Sequence, residues 1–146
     1  MTASTAAIDI EGLDHIVLRV RDMAAALRFY TGVLGCAEER RLEDFGLVQL
    51  RAGRTLIDLV DLKGSIGRRG GRAPGAEGRN LEHFCLRLAR FDEAALRAHL
   101  TAHGVEVGAV ETRYGADGYG PSIYIADPDG NVVELKGPPD DDQLPG

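Results

Sequence analysis

The sequence predicts an α+β fold built from two copies of one small module, and three observations lead there. Leu13-Asp14-His15-Ile16-Val17-Leu18-Arg19-Val20 returns 68 residues later as Leu81-Glu82-His83-Phe84-Cys85-Leu86-Arg87-Leu88, with identical residues at Leu, His, Leu and Arg. Leu56-Ile57-Asp58-Leu59-Val60 is echoed by Val132-Val133-Glu134-Leu135-Lys136, each a short apolar run with an acid in its middle. The length of 146 residues, 44% hydrophobic and 27% charged, suits two half-size modules sharing a core better than two independent domains.

The elements follow in order. In each copy of the repeat, the strand runs into an Ala-rich amphipathic stretch, Met23 to Leu34 and Phe91 to His103, which reads as a helix. Asp22 and Asp92 stand where N-caps belong, and Gly35 and Gly104 follow as stop signals. Leu47 to Arg51 and Leu56 to Val60 flank the Ala52-Gly53 turn as a hairpin. Ser122 to Ala126 and Val132 to Lys136 do the same around Asp127-Pro128-Asp129-Gly130. A further short strand is expected after each helix, at Glu38 to Leu42 and at Glu106 to Thr112. The predicted organisation is an extension at 1–10, a first module at 11–62, a linker at 63–80, a second module at 81–137 and an acidic tail at 138–146. The linker carries six glycines, one proline and five basic residues against the single acid Glu77, so it is either a flexible connector or an active-site loop.

Charge narrows the function. Seventeen Lys and Arg against twenty-three Asp and Glu leave a net charge of −6, without the positive excess of a nucleic-acid binder. No apolar run approaches the length of a membrane span, and residues 1–10 show no targeting signal, so a cytoplasmic protein with no membrane partner is expected. Cys36 and Cys85 are too few for a disulfide framework.

The repeat places a histidine at the start of each module and an acid in each module's last strand: His15, Asp58, His83 and Glu134. Imidazole and carboxylate together suit one divalent ion, Ni, Zn, Mn, Co or Fe, and the lack of thiolate argues against a structural zinc site. A lone strand histidine is more often a hydrogen-bonded core residue. Two acids placed alike by a repeat instead call for a cation, because a buried acid without a partner is costly. His99 and His103, at i and i+4, lack the glutamate of a His-Glu-x-x-His motif and read as surface residues near a helix C-terminus. Cys85, two beyond His83, shares its strand face; it either lines the site or is an inert thiol.

The phrases Leu13 to Val20, Phe29-Tyr30-Thr31-Gly32-Val33-Leu34-Gly35 and Ile125 to Leu135 resemble the vicinal oxygen chelate superfamily over about residues 11 to 137. That family includes glyoxalase I, fosfomycin-resistance thiol transferases, extradiol dioxygenases and bleomycin-binding proteins. The resemblance implies paired βαβββ modules forming a curved mixed sheet around a metal cleft. Carried over, the metal positions fall on His15, Asp58, His83 and Glu134; glyoxalases commonly have Glu where Asp58 stands, a shortening by one methylene. It also implies substrate-binding roles for Arg19 and Arg79, which resemble arginines gripping a glutathione carboxylate, and for Tyr124, which resembles a phosphonate-contacting tyrosine. The asparagine that glyoxalases often place four residues after the second ligand is replaced by Leu62.

The implied activity is a metal-dependent lyase or isomerase of glyoxalase type acting on a small molecule with vicinal oxygens, among them adducts of a thiol such as glutathione. Glu134, with Asp58 opposite, would move a proton between adjacent carbons. The alternatives are a thiol transferase of the fosfomycin-resistance kind, an extradiol dioxygenase using two histidines and one carboxylate, and a module that only sequesters a small molecule. The resemblance further implies a homodimer, with the linker long enough for exchange between subunits.

Overall fold

Burial alternates along the repeat strands His15–Val20 and Phe84–Arg87 of the computed structural model, which describes residues 7–140, and runs nearly unbroken along Thr55–Asp61 and Val132–Lys136 beside them. The order is β1 (His15–Val20), α1 (Met23–Leu27), a π-helical turn (Arg28–Val33), β2 (Ala37–Leu42), β3 (Leu47–Ala52) and β4 (Thr55–Asp61). It continues with β5 (Phe84–Arg87), α2 (Glu93–Ala102), β6 (Glu111–Gly115), β7 (Gly118–Ala126) and β8 (Val132–Lys136). The strands form two four-stranded mixed sheets with the same order, β1-β4-β3-β2 and β5-β8-β7-β6. In each, the first strand runs parallel to the last and the other neighbours are antiparallel.

One face of each sheet makes the core. Leu18, Val20, Val48, Leu50, Ile57 and Leu59 from the first sheet join Ile123, Ile125, Val133 and Leu135 from the second, with Phe29, Tyr30 and Leu100 between them, in one cluster. Burying each large side chain contributes about 1.5–3 kcal/mol, so this shared cluster joins the modules into one unit. Two polar contacts add direction. The buried Tyr30 hydroxyl donates to Asp127 Oδ2 at 2.7 Å, and the Arg21 backbone N–H donates to Asp129 Oδ1 at 3.1 Å, so the first module's helix is fastened to the β7–β8 turn of the second.

The helices differ from the sequence expectation. Asp22 and Asp92 do cap them, accepting from the Ala25 and Ala95 backbone N–H groups, each at 3.1 Å. The stretch expected to be helical from Met23 to Leu34 is α-helical only to Leu27 and then widens. The Thr31 hydroxyl takes the Leu27 carbonyl at 2.5 Å, and the Leu34 N–H reaches back five residues to the Phe29 carbonyl. The second helix is shorter than expected, from Glu93 to Ala102. The strand expected at 106–112 begins only at Glu111: Val105 and Val107 alternate, with Val110 beyond them, because they pack on the core without a paired strand beside them. β7 starts at Gly118, four residues before the expected Ser122.

The linker at 63–80 contains a 3₁₀ turn, Gly67–Gly70, and is held to the first sheet by Arg19. That side chain donates from Nε to the Gly67 carbonyl at 2.7 Å and from its terminal nitrogens to Gly71 and Arg72 carbonyls at 2.5 and 3.2 Å. A side chain would not fit at Gly67, against the Asp61 carbonyl, and one at Gly70 would displace the Arg19 guanidinium. Residues 1–6 of the expected extension and 141–146 of the expected tail lie outside the described residues. No helix among the described residues is long and apolar enough to cross a membrane.

Candidate functional site

The sheet faces turned away from the core carry the polar residues of the repeat. Register places Val17 beside Asp58 and Asp58 beside Gln49 across β1, β4 and β3, so His15, Asp58 and Gln49 share one face. In the second sheet Cys85, Glu134 and Tyr124 are direct neighbours across β5, β8 and β7, with His83 one residue ahead of β5. Asp58 and Glu134 are buried, 4% and 5% exposed, while both histidines reach solvent.

In the first sheet, Gln49 Nε2 donates to Asp58 Oδ2 at 3.0 Å and Arg40 donates to Gln49 Oε1. Asp58 Oδ1 is buried with no hydrogen-bond partner, an expensive state for a carboxylate oxygen. In the second sheet, His83 Nε2 stands 3.2 Å from Glu134 Oε1. The Tyr124 ring meets His83 edge-on with centroids 5.2 Å apart, and the Arg113 guanidinium lies 4.1 Å over the Tyr124 ring. Arg113 is anchored by Ser122 Oγ at 2.6 Å and Glu111 Oε2 at 2.9 Å.

Each repeat histidine also meets the acid before it: His15 Nδ1 is 2.6 Å from Asp14 Oδ1 and His83 Nδ1 is 2.7 Å from Glu82 Oε1. The pKa of His15 is raised above the ordinary value, first by that hydrogen bond and then, against some burial, by the charges of Asp58 and Asp14. Burial and the Glu134 carboxylate push the Cys85 thiol up to about 11, so although exposed it is a protonated, weakly nucleophilic group at neutral pH.

Imidazole nitrogen and carboxylate oxygen are donor types that bind divalent cations. The orphaned Asp58 oxygen is open to a hydrogen-bond donor or a cation, and 3.2 Å is a separation that two donor atoms on one ion can take with bonds of about 2.1 Å. The structure puts His83 and Glu134 in contact in the second sheet, and places His15 on the same face of the first sheet as Asp58, close enough to feel its charge. Among the described residues no group of three His, Cys, Asp or Glu side chains converges within the chain.

The other expected residues divide. Tyr124 does stand beside His83 and Glu134. Arg19 and Arg79 have their guanidiniums turned to backbone carbonyls, Arg19 to the linker and Arg79 to Gly75 and Gly130, an engagement that spacing alone does not reveal. His99 Nε2 and His103 Nδ1 contact the Val33 and His99 carbonyls at 2.7 and 2.9 Å, as surface residues at a helix end do. Gln49, Arg40, Arg113, Asp14 and Glu82 were not singled out in the sequence. Only the acid before each repeat histidine left a signal there, as a second conserved charge type within the repeat. A mainly apolar groove of about 870 Å³, bordered by Phe29, Val33, Val105, Val107, Tyr124 and Val132, contains none of the four candidate ligands.

Comparisons with known proteins agree with this fold. The chain is 28% identical over 138 residues to the glyoxalase domain-containing protein RDO1 of Mycosarcoma maydis, covering 88% of this chain and 69% of that one. It is 29% identical over 133 residues to the virulence protein STM3117 of Salmonella typhimurium, covering 86% and 83%. The crystal structure of that virulence protein superposes with a TM-score of 0.69, at 26% identity, over 90% of this chain and all of the other. Lactoylglutathione lyase from Agrobacterium tumefaciens shares the fold, with a TM-score of 0.62 at 24% identity over 88% and 94% of the two chains. The family model for the glyoxalase/bleomycin resistance protein/dioxygenase superfamily matches residues 12–135, and the chain belongs to that superfamily.

Proposed function

We propose that this protein is a divalent-metal-dependent lyase or isomerase of glyoxalase type, acting on a small molecule with vicinal oxygens such as a thiol adduct of a 2-oxoaldehyde. The observation that carries the reading is the buried Asp58 oxygen without a partner, in a sheet whose repeat counterpart holds Glu134 against His83. His15, Asp58, His83 and Glu134 would hold the ion, which when bound supplies Lewis acidity toward the substrate oxygens.

Glu134 is the group we assign to the proton transfer. Its carboxylate, buried at the middle of β8, takes the proton from the carbon beside the carbonyl and returns it to the neighbouring carbon. Asp58 occupies the equivalent place in the first sheet, and Tyr124, braced by Arg113, walls the site beside His83. A substrate carboxylate would reach Arg19 or Arg79 by replacing the backbone carbonyls that each now engages. Because the two pairs stand on different sheets, a second copy of the chain completing each site is the arrangement we favour, and light scattering should report a dimer at micromolar concentration.

The test is elemental analysis of protein purified without chelator, with turnover of a glutathione–methylglyoxal hemithioacetal. We expect about one divalent ion per chain, lost in His15→Ala and Glu134→Ala, and in Glu134→Gln a fall in turnover of at least ~10²-fold with the fold retained. Protein that takes up no ion on titration, or a Glu134→Gln variant with normal turnover, overturns the reading.

A further inference from the structure

We propose that Asp14 and Glu82 are positioning residues, each fixing the tautomer and ring orientation of the histidine that follows it so that Nε2 presents its lone pair to a divalent cation. An ionised carboxylate only accepts hydrogen bonds, so Nδ1 of His15 and of His83 must carry the proton it donates to Asp14 Oδ1 at 2.6 Å and to Glu82 Oε1 at 2.7 Å. In the neutral ring Nε2 is then the bare nitrogen. In His83 that nitrogen is the one facing Glu134 at 3.2 Å. Two electron-rich atoms at that distance repel unless positive charge, a metal cation or a proton, lies between them.

Side chains of adjacent residues on a regular strand point to opposite faces. Asp14 and Glu82 escape this because each precedes its strand, β1 beginning at His15 and β5 at Phe84. The Asp14 carbonyl is still tied to the first sheet by the Leu56 N–H at 3.2 Å, which steadies the turn that brings its carboxylate back to the ring. The arrangement is selective. Of the four histidines, the two from the repeat meet carboxylates, whereas His99 and His103 meet backbone carbonyls. Both carboxylates are almost fully exposed, 89% and 88%, so neither contact has a core to support, and exposed ion pairs contribute little to stability. A carboxylate behind a metal-bound imidazole raises its basicity and sets its direction, and its loss typically weakens metal binding by 10–100-fold.

The inference rests on the metal-binding reading above, and the experiment separates the two. Long-range ¹⁵N–¹H correlation spectra of metal-free protein at one fixed alkaline pH should show His15 and His83 as Nδ1–H tautomers. Asp14→Ala and Glu82→Ala should each return the adjacent ring toward Nε2–H, which dominates in free histidine. Cobalt(II) titrated into the same proteins, followed by visible absorption, should bind about 10–100-fold more weakly in either alanine variant. Asp14→Asn, which keeps an acceptor oxygen, should lose less, and urea midpoints should not move. Unchanged tautomers, or cobalt affinities within twofold of wild type, overturn the inference alone. Wild-type protein that takes up no cobalt overturns the metal reading and the inference with it.

Discussion

Asp129 shows how one side chain can work against the stability it helps to organise. Its carboxyl is sunk in the β7–β8 turn, where burial first and the neighbouring Asp127 after it raise its pKa above the ordinary value, opposed by the Arg21 backbone N–H and guanidinium. A carboxyl whose folded pKa lies above its unfolded one binds more protons when folded, so stability falls as pH rises from the unfolded value to the folded one. Asp129→Asn should therefore flatten the decline in the window just above pH 4, measured by urea unfolding at several pH values. An identical slope in wild type and variant would contradict it. The metal candidates were legible in the sequence at this scale because a repeat exposes residue types at equivalent places. Gln49 and Arg113 were not, because their importance comes from cross-strand register, Gln49 opposite Asp58 and Arg113 over Tyr124.

The π-helical turn delivers Tyr30 to the second module. Widening the last turn of the helix places Phe29 and Tyr30 in the core and aims the Tyr30 hydroxyl at Asp127, whose two oxygens also accept from the Asp129 and Asn131 backbone and the Asn131 side chain. Tyr30→Phe should cost about 1.5–3 kcal/mol, the range for a hydrogen bond to a charged group, read as a lower urea midpoint with an unchanged m-value. A loss under about 0.5 kcal/mol would mean that the hydroxyl is incidental. Periodicity and caps revealed that a helix begins after Asp22, but not that it widens, since the apolar spacing of an α and a π turn over six residues is nearly the same. The misplaced strand at 106–112 has a related cause. Alternating Val105 and Val107 satisfy a strand pattern by packing alone, and only the pairing of Glu111 with Ser122 marks where the ladder starts.

At the scale of the whole molecule, two sheets of the same strand order meet over one core, and the linker, bonded at its start to Asp61, is fastened further along the first by the Arg19 side chain. Removing that fastening should loosen the linker without disturbing the sheets. Arg19→Ala should raise the initial rate of trypsin cleavage at Arg68, Arg69 or Arg72 by about tenfold, the effect of losing roughly 1.4 kcal/mol of local protection, with circular dichroism unchanged. Equal cleavage rates would show that the linker is held by other contacts. The repeat made the two-module plan readable, and it hid this clasp, because the counterpart of Arg19 is Arg87, which pairs with Asp117 on a hairpin. One repeated position thus serves as a buckle in one half and as an ordinary surface ion pair in the other. A repeated position is free to take different work in each half, and which work it does has to be read from each copy's surroundings, since the two copies share identity but not employment.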